Sequence, residues 1–347
     1  MTDNIEKYVD MPPLKMAVLI TGEPREFELT YKSISTWLEG YEYDVFIHAW
    51  NTTSTPANNG AMSLIKEETE IEYEKDYLLD TFTKYYNPAG IRIETKDEFI
   101  ENVLPKYPFV KPKYYTKIRR TNAMALCQMY SIQEGVNLIP NIEDYDLIIR
   151  TRFDILFNRK GDISKIVHMI MKHKHNIDTP TPEKSYTDTF EANERIKHLK
   201  KYRHKLIITS KFHYTYNKFF VYFTNLFGMG IAMKELFGDY LDYTINGDDP
   251  EVSLQHSRCH HDLLSKCIIK KGLTLRVSGL KQAAFVKVRP GCSLDIGNGE
   301  DVNLKQMKQV RIHMAEYNRT MKKRENRNLK LSKNVTKDSL YHPGTDH

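Results

Sequence analysis

Apolar residues come along this chain in short runs, each closed by Gly, Pro or a polar cluster. Residues 16–21 (Met-Ala-Val-Leu-Ile-Thr) follow the Pro12-Pro13 break and predict a first strand. Gly22-Glu23-Pro24-Arg25 succeeds it at once as a turn, with Gly supplying backbone freedom and an arginine just beyond. Residues 27–38 then place Leu29, Ile34, Trp37 and Leu38 at helical spacing, and residues 43–49 (Tyr-Asp-Val-Phe-Ile-His-Ala) predict a second strand. That strand ends in Trp50-Asn51 and a polar Thr/Ser/Asn loop to Gly60. Strand, helix and strand in this order imply a parallel pair with a right-handed crossover. Ligands of such sheets bind beyond the carboxyl ends of the strands, where Arg25, His48 and Trp50 fall.

Further along, residues 66–86 are acidic and helix-prone, 90–94 predict a strand, and the prolines in 106–115 predict a loop. Residues 121–138 predict a helix with Met124, Cys127, Tyr130 and Ile132 on its apolar side and Thr121 as its N-cap. Arg119 and Arg120 lie beside that helix start, where anions are favoured. Residues 158–217 are polar, rich in Lys and His, and carry Pro180 and Pro182, so they predict a lid or insertion with helices at 163–172 and 190–200 and no clear core. His168, His173 and His175 in that stretch are too irregularly spaced for a strong metal reading. Residues 218–227 predict an aromatic-rich strand, followed by Gly228-Met229-Gly230 and a helix through residue 237. An acidic turn at 246–251 leads to a helix at 252–259, and 273–277 and 284–288 predict late strands.

Composition changes this picture little. With 40% hydrophobic and 28% charged residues over 347 positions, the chain has enough material for one large α/β domain or two smaller ones. Cys127, Cys259, Cys267 and Cys292 lack zinc-site spacing and are too few for a disulfide scaffold, so reduced thiols in a cytoplasmic protein are expected. No stretch approaches about 18 consecutive apolar residues, and no transmembrane segment is expected. The net charge of +6 is local: Lys305, Lys308, Arg311, Arg319, Lys322, Lys323, Arg324, Arg327, Lys330 and Lys333 face only Glu316 and Glu325. That run is either a solvated tail or a peripheral contact with a membrane or an anionic polymer.

The richest chemistry lies in residues 145–154, Tyr-Asp-Leu-Ile-Ile-Arg-Thr-Arg-Phe-Asp. Residues 146–149 predict a short buried strand, and strand alternation would project Arg150, Arg152 and Asp154 to one side. Such charges are costly to bury unless they pair or bind something. Two guanidiniums beside a carboxylate at a strand's carboxyl end suit a diphosphate-bearing ligand, with or without a divalent metal. An internal Arg–Asp ion pair fixing a loop explains the same residues. The acidic group at 248–251 is open in the same way, as a helix cap or as the place of a catalytic base.

Four segments carry a resemblance in the right order: the strand, Gly and Arg of 17–25, the Asp-Val-Phe-Ile-His-Ala-Trp of 44–50, the Gln-Met-Tyr-Ser-Ile of 128–132, and residues 145–154. Together they make the first 155 or so residues similar to a family of glycosyltransferases of GT-A type found in bacterial polysaccharide loci and in large DNA viruses and phages. The resemblance implies an α/β fold, a GT-A-like open mixed sheet with a Rossmann-like nucleotide-binding half, in the cytoplasm (the host's, if the source is viral). It divides the chain into an extension (1–15), a nucleotide-sugar-binding half (16–157), the insertion or lid (158–217), an acceptor half of the same catalytic domain (218–303) and the basic tail (304–347).

It also implies a nucleotide-diphospho-sugar donor and a glycan or other hydroxyl acceptor. Many GT-A enzymes hold Mn²⁺ or Mg²⁺ with Asp-x-Asp, but Arg152 stands here where the first Asp would be. Asp154 alone could hold the metal, or Arg150 or Arg152 could neutralise the leaving diphosphate without one. Thr21, Gly22 and Arg25 would line the donor site, Arg25 as a phosphate contact, while Asp44 or the Thr121–Asn122 region would touch base or ribose. An inverting reaction needs a carboxylate base: Glu251 first, then Asp249, with Asp262 in reserve. Gly228, Gly230 and Glu251 match the acceptor side by order alone. The rival reading is a non-catalytic protein binding nucleic acid or anionic glycans through its basic tail.

Overall fold

The computed structural model describes residues 13–54, 70–107, 117–157, 163–174, 205–209, 212–215, 218–221, 226–245, 252, 260–277 and 285–287. The first apolar run becomes β1 (Met16–Gly22), followed by α1 (Phe27–Trp37), β2 (Tyr43–Trp50) and an antiparallel pair, β3 (Thr52–Ser54) with β4 (Glu70–Glu72). Next come α2 (Lys75–Tyr86), β5 (Gly90–Glu94), α3 (Lys96–Asn102), α4 (Lys117–Asn137), β6 (Leu147–Thr151), β7 (Ile155–Phe157) and α5 (Ser164–Lys174). The remainder is β8 (Leu206–Thr209), β9 (Phe212–Thr215), β10 (Lys218–Val221), β11 (Leu226–Gly228), α6 (Gly230–Phe237), α7 (Tyr240–Ile245), α8 (His260–Lys270), β12 (Thr274–Val277) and β13 (Phe285–Lys287).

Seven strands form one sheet in the order β12-β8-β11-β6-β1-β2-β5. Every neighbouring pair is parallel except those of β11, which runs against both β6 and β8. Its central strands are apolar on both sides because both sides are covered. Val18, Ile20, Ile47, Ile149, Ile208 and Phe227 meet α1, α2 and α5 through Ile34, Trp37, Phe82 and Ile166. Ala17, Leu19, Phe46, Ile148 and Leu226 meet α4, α6, α7 and α8 on the other face. This is an open, mixed α/β sheet with helices on both faces. Among the described residues, no helix is long and apolar enough to cross a membrane.

Three differences from the sequence expectation have local causes. The helix expected from residue 121 begins at Lys117, because Lys117, Arg119 and Arg120 are good helix formers and no breaker separates them from the apolar face. Thr121 therefore lies inside α4 and is not its cap. The strand expected over 218–227 is two strands in different sheets, β10 pairing with β9 and β11 joining the main sheet. Within the stretch expected to lack a core, Leu206-Ile207-Ile208-Thr209 is fully buried between β11 and β12, and Ile166 and Ile170 of α5 are fully buried too. Polar neighbours on both sides mask so short an apolar run in any averaged reading. The helices expected at 190–200 and 252–259 lie outside the described residues, apart from Val252.

Candidate functional site

β1 and β6 lie side by side in register, Leu19 opposite Arg150 and Ile20 opposite Thr151, so both chains leave the sheet together at its centre. Beyond β1, Gly22 has φ 118° and Glu26 has φ 52°, and between them the chain turns back with the Arg25 N–H donating to the Glu23 carbonyl at 2.8 Å. Gly tolerates the left-handed region freely, whereas Glu there carries backbone strain. Beyond β6, Phe153 is the anchor: its ring stacks on Phe82 with centroids 5.0 Å apart. Thr30 of α1 donates its hydroxyl to the Phe153 carbonyl, and Ser33 accepts from the Phe157 N–H at 3.2 Å. These contacts fix the segment that carries Arg152 and Asp154.

The three arginines have different surroundings. Arg25 is 3% exposed and donates from Nε to Glu23 Oε2 at 2.6 Å, forming an ion pair. Arg150 is buried and donates to the Thr21 hydroxyl from both Nε (3.1 Å) and Nη2 (2.8 Å). Burial, with repulsion from Arg152, pulls its pKa down to about 9. Arg152 donates from Nε and Nη2 to the two oxygens of Asp154, each at 2.9 Å, and its side chain is 24% exposed. Burial works against the Arg152 charge, but Asp154 and then Glu23 outweigh it and hold the guanidinium more firmly protonated than usual. Glu26 is pushed the other way: burial, then the charge of Asp154, raises its carboxyl above the ordinary range.

Thr21, Gly22, Arg25, Arg150, Arg152 and Asp154 are thus brought to one edge of the sheet. Asp44 is not. It lies opposite Ala17, at the amino end of β2, while Thr21 lies opposite His48 at the carboxyl end. At about 3.3 Å per residue, four positions set Asp44 roughly 13 Å from that edge. It accepts there from the Tyr145 hydroxyl at 2.7 Å, apart from the edge that gathers the other residues. Asn122 lies in the first half of α4. Gly135 of α4 packs on Leu19, Thr21 and His48, and the Leu138 carbonyl lies near Gly90, which pairs with Phe46 two residues before His48, so the helix runs against the strands. Its N-terminal half consequently extends beyond their carboxyl ends. Asp249, Glu251 and the adjoining acidic turn lie outside the described residues, and Asp262 lies in the first turn of α8.

Sequence reasoning missed the acidic partners. Glu23 and Glu26 sit in the same turn as Gly22 and Arg25, and a Glu-x-Arg-Glu stretch is itself a charge-balance signal. It also missed a second polar group behind the first. His48, fully buried on β2, has Nδ1 2.9 Å from the Ser131 hydroxyl and Nε2 3.4 Å from Glu94 Oε2. Glu94 also accepts from the Tyr130 hydroxyl at 3.0 Å and pairs with Arg92, which reaches Glu134 at 2.6 Å. Burial opposes the Glu94 charge, yet His48, Arg92 and Tyr130 together hold its carboxyl below the ordinary value. Hydroxyl, imidazole and carboxylate stand in the order of an acyl-transfer triad, but Ser131 and His48 are 1% and 0% exposed. Sealed from any substrate, the group pins α4 to β2 and β5.

A resident metal fits this edge poorly. Both oxygens of Asp154 are engaged by Arg152, and the described residues contain no group of three His, Cys, Asp or Glu side chains placed to hold an ion.

No family model matches the chain, and no curated protein matches it. Among solved structures, mouse xyloside xylosyltransferase 1 in its apo form is similar at 8% identity and a TM-score of 0.29, over 75% of this chain and 81% of that one. At that score the likeness carries no functional weight.

Proposed function

We propose that the protein is a glycosyltransferase that takes a sugar from a nucleotide-diphospho-sugar and transfers it to the hydroxyl of a glycan or other acceptor. The observation that carries this reading is the partly exposed Arg152, held by Asp154 at the carboxyl edge of β1 and β6 in a GT-A-like sheet. Open α/β sheets take their ligands at that edge. Breaking the bond between the anomeric carbon and the diphosphate leaves its electron pair on a phosphate oxygen, and a fixed guanidinium stabilises that charge as it develops. The acceptor oxygen forms the new bond to the anomeric carbon and surrenders its proton to a carboxylate, for which Glu251, then Asp249, is the proposed base. Residues 16–157 would supply the donor half and 218–303 the acceptor half.

Thermal unfolding against UDP-, GDP-, CDP- and dTDP-sugars tests the donor. One nucleotide at about 100 times its dissociation constant should add roughly 2.7 kcal/mol of apparent stability. Release of that nucleoside diphosphate in the presence of acceptor glycans tests turnover. The absence of any shift would remove the reading. The basic run at Lys305–Lys333 favours a second, non-catalytic role in polyanion binding. That role would appear as steeply salt-dependent binding to heparin or DNA, unaffected by Arg152→Gln.

A further inference from the structure

We infer that the donor diphosphate is neutralised by Arg152 directly, without a divalent cation, and that Asp154 is a positioning residue for that guanidinium and not a metal ligand. This rests on the glycosyltransferase reading and assigns the roles within its site.

A guanidinium has five N–H donors in a planar fork. Asp154 takes two of them along one edge, the Nε–H and one N–H of Nη2. The other edge, made by Nη1 and the second N–H of Nη2, meets no acceptor among the described residues, and the side chain is 24% exposed. An arginine with one edge clamped by a carboxylate and the other open has the geometry of bidentate phosphate recognition. Neighbouring arginines do not offer this: Arg150 is 1% exposed and turned to Thr21, and Arg25 is 3% exposed and paired with Glu23.

The carboxylate has the complementary limitation. Asp154 is 1% exposed and both its oxygens accept from Arg152. A cation could reach it only by displacing a guanidinium that is itself charged, and so by placing two positive charges where one carboxylate now balances one. Of the other carboxylates in electrostatic contact with this pair, Glu26 is held toward its neutral form by burial and by Asp154, and Glu23 is paired with Arg25. Two carboxylates already paired with arginines and a third whose charge burial opposes do not make the oxygen-rich shell that Mg²⁺ or Mn²⁺ takes. In the transfer step the electron pair of the breaking C1–O bond passes to the diphosphate oxygen facing Arg152. That guanidinium keeps all its protons, and the acceptor proton leaves by the separate carboxylate base.

The test is binding of UDP, GDP, CDP and dTDP, and of the corresponding monophosphates, by calorimetry in EDTA and again with Mn²⁺ or Mg²⁺. The wild-type protein should bind one diphosphate equally well in both conditions, and its monophosphate more weakly. Arg152→Gln should weaken the diphosphate about ten- to a hundredfold, the scale of a charge-assisted hydrogen bond, and leave the monophosphate nearly unchanged. Arg152→Lys, which keeps charge but not the fork, should fall between. Asp154→Asn should weaken the diphosphate less than Arg152→Gln and confer no response to metal. Diphosphate binding that collapses in EDTA would overturn the inference while leaving the donor site standing. An Arg152→Gln loss shared equally by mono- and diphosphate would overturn it as well. If no nucleotide binds the wild-type protein in either condition, the glycosyltransferase reading itself fails.

Discussion

Glu26 holds a left-handed backbone conformation, φ 52°, that a β-carbon makes costly, and a carboxylate whose charge burial and Asp154 oppose. Both costs fall at the edge where the donor is proposed to bind, as expected when strain is retained for function and not for stability. Because its folded pKa lies above 4.5, the group's relative contribution to stability is complete below that value and lost as pH rises through the folded pKa. Glu26→Gln should therefore raise the melting temperature at pH 7, and the gain should shrink to nothing below pH 4.5; an unchanged gain at acid pH would show that charge is not its origin. Glu26→Gly should add a further gain at every pH by relieving the backbone. The sequence pointed to Arg150, Arg152 and Asp154, but not to their different partners. Alternation places side chains only while a strand lasts, and β6 ends at Thr151. After that, Phe153 in the core and Thr30 on α1 decide where Arg152 and Asp154 point.

At the level of elements, α4 is the part on which the site leans. It touches β1 at Gly135, where an added β-carbon would lie 2.9 Å from both Leu19 Cδ1 and Thr21 Cγ2. Leu19 has a flexible tip, but Thr21 is held because it accepts from Arg150. Gly135→Ala should cost about 1–3 kcal/mol in chemical denaturation, as overpacking does, and should also weaken nucleotide binding through the shifted Thr21. Stability loss without a binding change would separate α4 from the site. The same helix is tied to β5 through Glu94, whose folded pKa is depressed. Its stabilisation is present above 4.5 and is lost as pH falls through the folded value. Glu94→Gln should cost about 1–3 kcal/mol at neutral pH by leaving buried donors unpaired. Wild type and variant should converge in acid; a gap that persists there would place the loss in packing instead. Elements with long apolar runs, β1 and β2, were legible in the sequence within a residue or so. β8 was not, because its four residues gain their meaning only from β11 and β12, which arrive later in the chain.

Across the whole molecule, neither half of the sheet is finished without the other. Up to residue 157 the chain supplies β5, β2, β1 and β6. Yet β6 is an interior strand whose other neighbour is β11, with Ile149 opposite Phe227 and Arg150 opposite Leu226. Leu206, Ile208 and Phe227 belong to the core that also holds Trp37, Phe153 and Phe157, and Trp37 lies 6.3 Å from Phe227 between ring centroids. Removing those three side chains alone would forfeit on the order of 5–9 kcal/mol of apolar burial, against a typical total stability of about 5–15 kcal/mol. On the opposite face, α6, α7 and α8 cover Ala17, Leu19 and Ile148 together with α4. A fragment ending at residue 157 should accordingly show no cooperative thermal transition by near-ultraviolet circular dichroism, while the full chain unfolds cooperatively. The two halves then answer to one folding equilibrium, and substitutions at Phe227 should lower nucleotide affinity only as far as they lower the folded fraction. A cooperative transition in the fragment would instead make residues 16–157 a domain in their own right, with β11 docked upon it.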